Sequence, residues 1–175
     1  MHLAWIASEN NDANGLLYGL AETLAARGLR LAGTVQINSL RPDACKCDMD
    51  VKVLPDGPVI RISQDLGPQS QGCRLNPDTL EQAVAESTRM LATGADVLIV
   101  NKFGKQEAEG RGFRELIGEA LARDIPVIVA VNALSRPAFE TFADGLATAL
   151  PGDAGPILDW VLDACAPGPR AASAP

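Results

Sequence analysis

Short apolar runs without helical period, each ending in a polar or glycine-bearing turn and each followed by a helical pattern, constrain this chain more than any other feature. Leu3-Ala4-Trp5-Ile6-Ala7 is the first, and Ser8-Glu9-Asn10-Asn11-Asp12 follows it. A run this short and apolar on both faces reads as a strand buried in a parallel sheet. Leu16, Leu17, Leu20 and Leu24 then share one helical face, Asn11 or Asp12 offers an N-cap, and Gly28 suits the left-handed position beyond the last turn. Leu31 to Asn38 returns to strand pattern, which gives the strand, helix, strand order of a right-handed parallel crossover.

The alternation resumes after residue 75. Asn76-Pro77-Asp78 combines a capping side chain, a proline at the first helical position and a carboxylate at the positive dipole end. Leu80, Ala83, Val84 and Leu91 then mark an inward face, and Gly94 stops the helix. Asp96 to Val100 is a second buried strand, followed by a loop from Asn101 to Gly112 and a helix carrying Phe113, Leu116, Ile117, Ala120 and Leu121. Pro126 to Val131 reads as a further parallel strand, Phe139 and Phe142 as a short helical piece, and Ile157 to Cys165 as a last helix. This order predicts an α/β domain of three layers with a mostly parallel sheet. Residues 40–75 break the order: Met49 to Leu54 and Val59 to Ser63 could pair across Pro55-Asp56-Gly57-Pro58, a small β-hairpin insertion with its own antiparallel ribbon. The expected boundaries are a single domain over 1–165 and a disordered tail over 166–175.

Apolar residues make up 47% and charged residues 21% of the 175, ordinary for a globular chain that needs neither metal nor disulfide to hold a core. The formal net charge of −7 repels phosphate backbones and anionic surfaces, so neither nucleic acid nor membrane is an expected partner. No leader-like start and no spanning apolar run is present, so a cytoplasmic location is expected. A small anion is the expected partner, and homo-oligomerisation stays open. The cysteines Cys45, Cys47, Cys73 and Cys165 are then free thiols, a metal site or a redox pair.

The loop after the first strand is where a nucleoside triphosphatase would place a glycine-rich phosphate cradle and its lysine. Residues 7–15 hold no Gly-Lys-Ser/Thr, and Glu9 and Asp12 would push a phosphate away, so magnesium-ATP is not an expected cofactor. At the end of the second strand, Asn101 and Lys102 stand where such enzymes carry a metal-binding aspartate. A cation there can meet an anion directly. Alternatively, Lys102 and Lys105 are solvated or pair with Glu107 and Glu109.

The most ligand-like stretch is Arg61-Ile62-Ser63-Gln64-Asp65-Leu66-Gly67 with Gln71-Gly72-Cys73-Arg74-Leu75, ahead of the Asn76-capped helix. A helix N-terminus suits an oxyanion and lowers the pKa of a nearby thiol, which makes Cys73 a candidate ligand or reactive group. The competing structural reading pairs Arg61 and Arg74 with Asp65 or Asp78 and treats Cys73 as a small core residue. Cys47 and Cys73 are candidate ligands for a soft metal, yet no paired Cys-x-x-Cys elements exist and His2 is the lone histidine. Cys165 falls on the apolar side of the last helix and reads as core. No nucleophile, base and orienter triad can be assembled.

The runs Ile62-Ser63-Gln64-Asp65-Leu66-Gly67, Gly72-Cys73-Arg74-Leu75 and Asn101 to Gly112 together resemble an uncharacterised bacterial family of unknown function, some of whose members are nucleotide-binding proteins associated with molybdenum transport. The same element order is distantly similar to small P-loop nucleoside triphosphatases, with Asn101-Lys102, Gly104 and Glu107 in the places of a strand-end Asp-Glu, a glycine and a later glutamate. The resemblance implies a sheet of P-loop NTPase-like type with degenerate motifs. The leading expectation is a non-catalytic binding protein for a small oxyanion. Molybdate or tungstate is the ligand that the resemblance implies, and a nucleotide phosphate is the other. Its site is expected to use Ser63, Gln64, Cys73, Arg74, Asn101, Lys102 and Lys105. Two alternatives stand beside it: a nucleoside phosphohydrolase using Glu107 or Glu109, and a metal- or redox-responsive protein using Cys45, Cys47 and Cys73.

Overall fold

The structure is a computed structural model that describes residues 1–9, 12–39, 48–64 and 75–166. Its seven strands are β1 (Leu3–Ala7), β2 (Leu31–Ser39), β3 (Asp48–Val53), β4 (Val59–Arg61), β5 (Val97–Phe103), β6 (Val127–Val131) and β7 (Ala147–Leu150). They form one sheet in the order β4-β3-β2-β5-β6-β1-β7. All pairs from β2 through to β7 are parallel, while β2 with β3 and β3 with β4 are antiparallel. The helices are α1 (Ala13–Ala26), α2 (Pro77–Ala92), α3 (Lys105–Ala108), α4 (Arg114–Ala122), α5 (Arg136–Ala143) and α6 (Ala154–Cys165).

Period-2 alternation in the central strands distributes side chains to two faces. Leu98 and Val100 of β5, with Val127, Val129 and Val131 of β6, pack against α2, α4 and α5. Val97 and Ile99, with Ala4 and Ile6 of β1 and Ile128 and Ala130 of β6, pack against α1 and α6. Both faces are covered, so the central strands read as unbroken apolar runs. The expected three-layer α/β arrangement with a mostly parallel sheet is the one observed.

Capping follows the sequence signals closely. Asp12 caps α1, its side chain accepting from the Gly15 amide at 3.0 Å. Asn76 caps α2, accepting from the Asp78 and Thr79 amides, with Pro77 at the first position. Gly33 fills a requirement invisible in a strand pattern: its φ is +102°, and a Cβ there would lie 1.9 Å from the Ile99 carbonyl oxygen of β5. Only glycine permits that approach of β2 to β5. Where the two strands begin, Asp96 takes a bidentate contact from Arg30 (3.2 and 2.7 Å) and also accepts its amide at 2.8 Å. The Arg30 hydrogen bond holds the Asp96 carboxyl below its usual range against a smaller opposing effect of burial.

Several expectations need correction. The segment after residue 40 does not form a ribbon apart from the main sheet. Strand β3 pairs with β2 from Thr34 opposite Val53 to Ser39 opposite Asp48, because this alignment buries Val51 and Val53 with Ile62 against Ala83 of α2. The second strand is shorter than Val59 to Ser63, since it stops at Arg61, although Ser63 makes an isolated bridge to Leu75. Arg61 contacts Asp50, its direct cross-strand neighbour, at 2.9 Å. Strand β7 was not expected at all; it is only four residues long, with its middle two exposed at the sheet edge, too short a run to read as a strand. Lys105–Ala108, expected as loop, is a single helical turn. No helix among the described residues is long and apolar enough to cross a membrane.

Candidate functional site

The topology fixes where a site belongs. Strand β1 sends its chain into α1 on one face, whereas its neighbour β6 sends its chain into α5 on the other. Connections that diverge at the carboxyl ends of adjacent parallel strands leave a crevice, the usual binding place in open α/β sheets. A cavity of about 610 Å³ opens there, reaching from Ser8 and Asn132 at β1 and β6, across Asn101 and Lys102 of β5, to Met49 of β3.

Its floor is organised by Asn101, which is 6% exposed. The Asn101 side-chain oxygen accepts the Gln36 amide at 3.0 Å. Its side-chain nitrogen donates to Gln36 Oε1 at 3.0 Å and to Asn14 Oδ1 at 3.2 Å. One amide thus ties β5 to β2 and to the first turn of α1. An aspartate at this strand end would have no hydrogens to donate, so the neutral carboxamide makes a clasp that a carboxylate could not.

Lys102 differs from its neighbours. Val100 of β5 stands opposite Val129 of β6, and Phe103 opposite Val131, so β5 carries one extra residue between these pairs. Such a bulge re-aims side chains. Here Asn101 and Phe103 are buried while Lys102 between them is exposed and borders the cavity. Lys102 forms no ion pair with any described residue, whereas Lys105, also on the cavity wall, lies 3.7 Å from Glu109. The side-chain nitrogens of Asn14 and Asn132 likewise have no acceptor among the described residues beyond the cavity they border. The Asn132 oxygen accepts the Ser135 amide at 2.8 Å, which sets the direction of that side chain.

Glu107 is 3% exposed. Its two oxygens accept the Gly104 amide at 2.8 Å and the Phe113 amide at 3.1 Å. Burial pushes its pKa up, the amide hydrogen bonds pull it back, and the nearby Glu81 charge adds to the rise. A Cβ at Gly112 (φ +59°) would sit 2.2 Å from a Glu107 oxygen, and Glu81 accepts the Gly112 amide at 3.0 Å. Glu107 is therefore the internal clamp of the loop that follows Lys102. On the far rim, Glu9 accepts the Ala133 amide and Leu134 is 93% exposed.

Of the residues expected at the site, Asn101, Lys102 and Lys105 border one cavity. Ser63 and Gln64 do not line it: the Ser63 hydroxyl oxygen accepts the Met49 amide at 3.0 Å, and Gln64 donates to the Leu75 carbonyl at 3.2 Å. They fasten the segment whose neighbours Ile62 and Leu75 do line the cavity. Cys73, Arg74, Cys45 and Cys47 lie outside the described residues. Among the described residues no cluster of three or more His, Cys, Asp or Glu side chains could hold a metal ion. Cys165 is half-buried, donates its thiol to the Asp96 carbonyl at 3.3 Å, and has its pKa raised by burial and then by the Asp96 charge. Asn14, Gln36 and Asn132 were not foreseen as site residues. Polar Thr34 and Gln36 inside an otherwise buried strand were the available signal.

The fold and crevice define a three-layer α/β domain with a mostly parallel sheet and a strand-end cavity, and the sequence after β1 holds no Gly-Lys-Ser/Thr. The chain belongs to the family described as a protein of unknown function (DUF2478), whose model matches residues 3–160. It is 34% identical over 153 residues to the molybdenum import ATP-binding protein ModC 2 of Bradyrhizobium diazoefficiens. That match covers 87% of this chain but only 17% of the relative's length. The crystal structure of THEP1 from the hyperthermophile Aquifex aeolicus has the same fold, with a TM-score of 0.61 at 14% identity, over 86% of this chain and 89% of that one.

Proposed function

We propose that this domain binds a small oxyanion, free or as the phosphate of a larger ligand, at the strand-end cavity, and that it does so without hydrolysing it. One observation carries the reading: Lys102, Asn14 and Asn132 border the same cavity, and no described residue accepts a hydrogen bond from the Lys102 amine or from the side-chain nitrogens of the two asparagines. Three donors left open at one recess favour an acceptor ligand, because a lysine and two amides offer complementary hydrogen bonds to tetrahedral oxygens. The likeness to a molybdenum import ATP-binding protein supports two candidate anions, molybdate or tungstate on the one hand and a nucleotide phosphate on the other.

Hydrolysis lacks its parts among the described residues. Asn101 replaces the strand-end carboxylate, and both oxygens of Glu107 are engaged by backbone amides. Magnesium-ATP turnover is accordingly not part of the reading.

Isothermal titration with molybdate, tungstate, phosphate, AMP and ATP tests it. Lys102→Ala should weaken binding at least tenfold while changing stability by less than about 0.5 kcal/mol, since the side chain is exposed and forms no ion pair with any described residue. Equal affinity in the variant would refute the assignment.

A further inference from the structure

The cavity has two chemically different ends. Lys102 of β5, Asn132 after β6 and Asn14 of α1 border it on one side, together with Ala130 and Leu134, while the other side is walled wholly by apolar residues: Met49 and Val51 of β3, Ile62, Leu75, and Leu80 of α2. We infer that the ligand is an organic phosphate: an anion held at Lys102 and carried on a flat or apolar body of about nucleoside size that lies against this apolar wall. The inference rests on the anion-binding reading above and specifies what carries the anion.

Size is the first argument. A water molecule takes about 30 Å³, so a four-oxygen anion amounts to roughly 100 Å³ or less. The cavity measures about 610 Å³. A bare oxyanion would leave most of it to water, against a wall that gains nothing from water. Cavities of this size with an apolar lining and a few convergent polar groups suit small organic molecules.

Spacing is the second argument. Strands β3 and β5 are separated only by β2. Two strand spacings are roughly 10 Å, the scale that separates a phosphate from the far edge of an attached ring system. The wall is also preorganised. Val51, Ile62 and Leu80 are 2%, 6% and 7% exposed, so they form a fixed surface, and Met49 and Leu75 at the rim remain half-open. Methionine there can adapt to a planar face.

A second recess, between α1 and α6, is bordered by Gly15, Gly19, Ala154 and Gly155, and its described lining offers no unpaired donor to define a ligand.

Titrating the full chain with inorganic phosphate, molybdate, AMP, GMP and adenosine tests the inference. We expect AMP or GMP to bind at least tenfold more tightly than either inorganic anion. Met49→Gln should weaken the nucleotide at least threefold and leave phosphate unchanged, whereas Lys102→Ala should weaken both. If phosphate and molybdate bind as tightly as the nucleotides and Met49→Gln alters nothing, this inference is overturned and the anion-binding reading stands. If none of the five binds, both are overturned.

Discussion

Replacing Asn101 by alanine probes the clasp at the cavity floor more directly than any other change. The substitution removes three hydrogen bonds, at 3.0, 3.0 and 3.2 Å, in a site that is 6% exposed. Each typical bond is worth about 1 kcal/mol net, and a backbone amide left buried without a partner costs about 1 to 3 kcal/mol. Gln36 can turn its side chain and Asn14 is partly open to water, so the expected loss is about 3 kcal/mol, not the sum of the extremes. For a domain of this size about 1 kcal/mol lowers Tm by about 2 to 4 °C, which gives a fall of roughly 6 to 12 °C. Urea unfolding followed by circular dichroism reads the free energy, and a thermal scan reads Tm. Asn101→Asp is the control. It keeps an acceptor for the Gln36 amide and permits the two partner amides to rotate and donate, but buries a charge, so it should fall between wild type and alanine at low pH and approach alanine at neutral pH. A loss below about 1 kcal/mol in the alanine variant would mean that the amide network is not what joins β5, β2 and α1.

Other substitutions address separate features. Gly33→Ala forces a Cβ against the Ile99 carbonyl at a positive φ and should cost about 3 kcal/mol or more; a stable, soluble variant in chemical denaturation would contradict that packing. Glu107→Gln presents an amide NH2 to one of two backbone donors and should cost about 2 kcal/mol, measured the same way, and unchanged stability would remove the clamp role. For Asp96, the folded carboxyl is depressed by Arg30, so its contribution is complete above the ordinary carboxyl pKa of about 3.9 and disappears as pH falls through the folded value. Asp96→Asn should therefore lose stability at pH 7, by less than about 1 kcal/mol because solvent screens the exposed Arg30 partner, and the gap from wild type should close in strong acid; a gap constant from pH 7 to pH 2 would show that the charge is not involved.

The strands that line the cavity were legible because burial on both faces leaves an uninterrupted apolar run, as in Val97 to Val100 and Val127 to Val131. The two caps were legible because Asp12 and Asn76 act within three residues of themselves. Strand β7 was not, since an edge strand of four residues, two of them exposed, is too short to show a pattern. The place of β3 was hidden for another reason: a turn predicts which strands become neighbours, but the sheet's free β2 edge and the underside of α2 decide what the pair then joins. The Asn101 clasp could not be found locally, because its partners lie 65 and 87 residues away in the chain. The strand-end lysine was visible as a residue type at a position; that no described residue pairs with it was not.

The extra residue in β5 makes the direction of a charge a matter of chain length. Facing alternates with every residue of a strand, so removing one residue between Val100 and Phe103 would restore an even ladder with β6 and leave a single side chain between two that share one face. Only one of Asn101 and Lys102 would then remain, so a buried amide and an exposed cation could no longer stand side by side on this strand end. The recess is thus tuned by a count of peptide units, and a one-residue shortening here should silence it more thoroughly than replacing any single side chain around it.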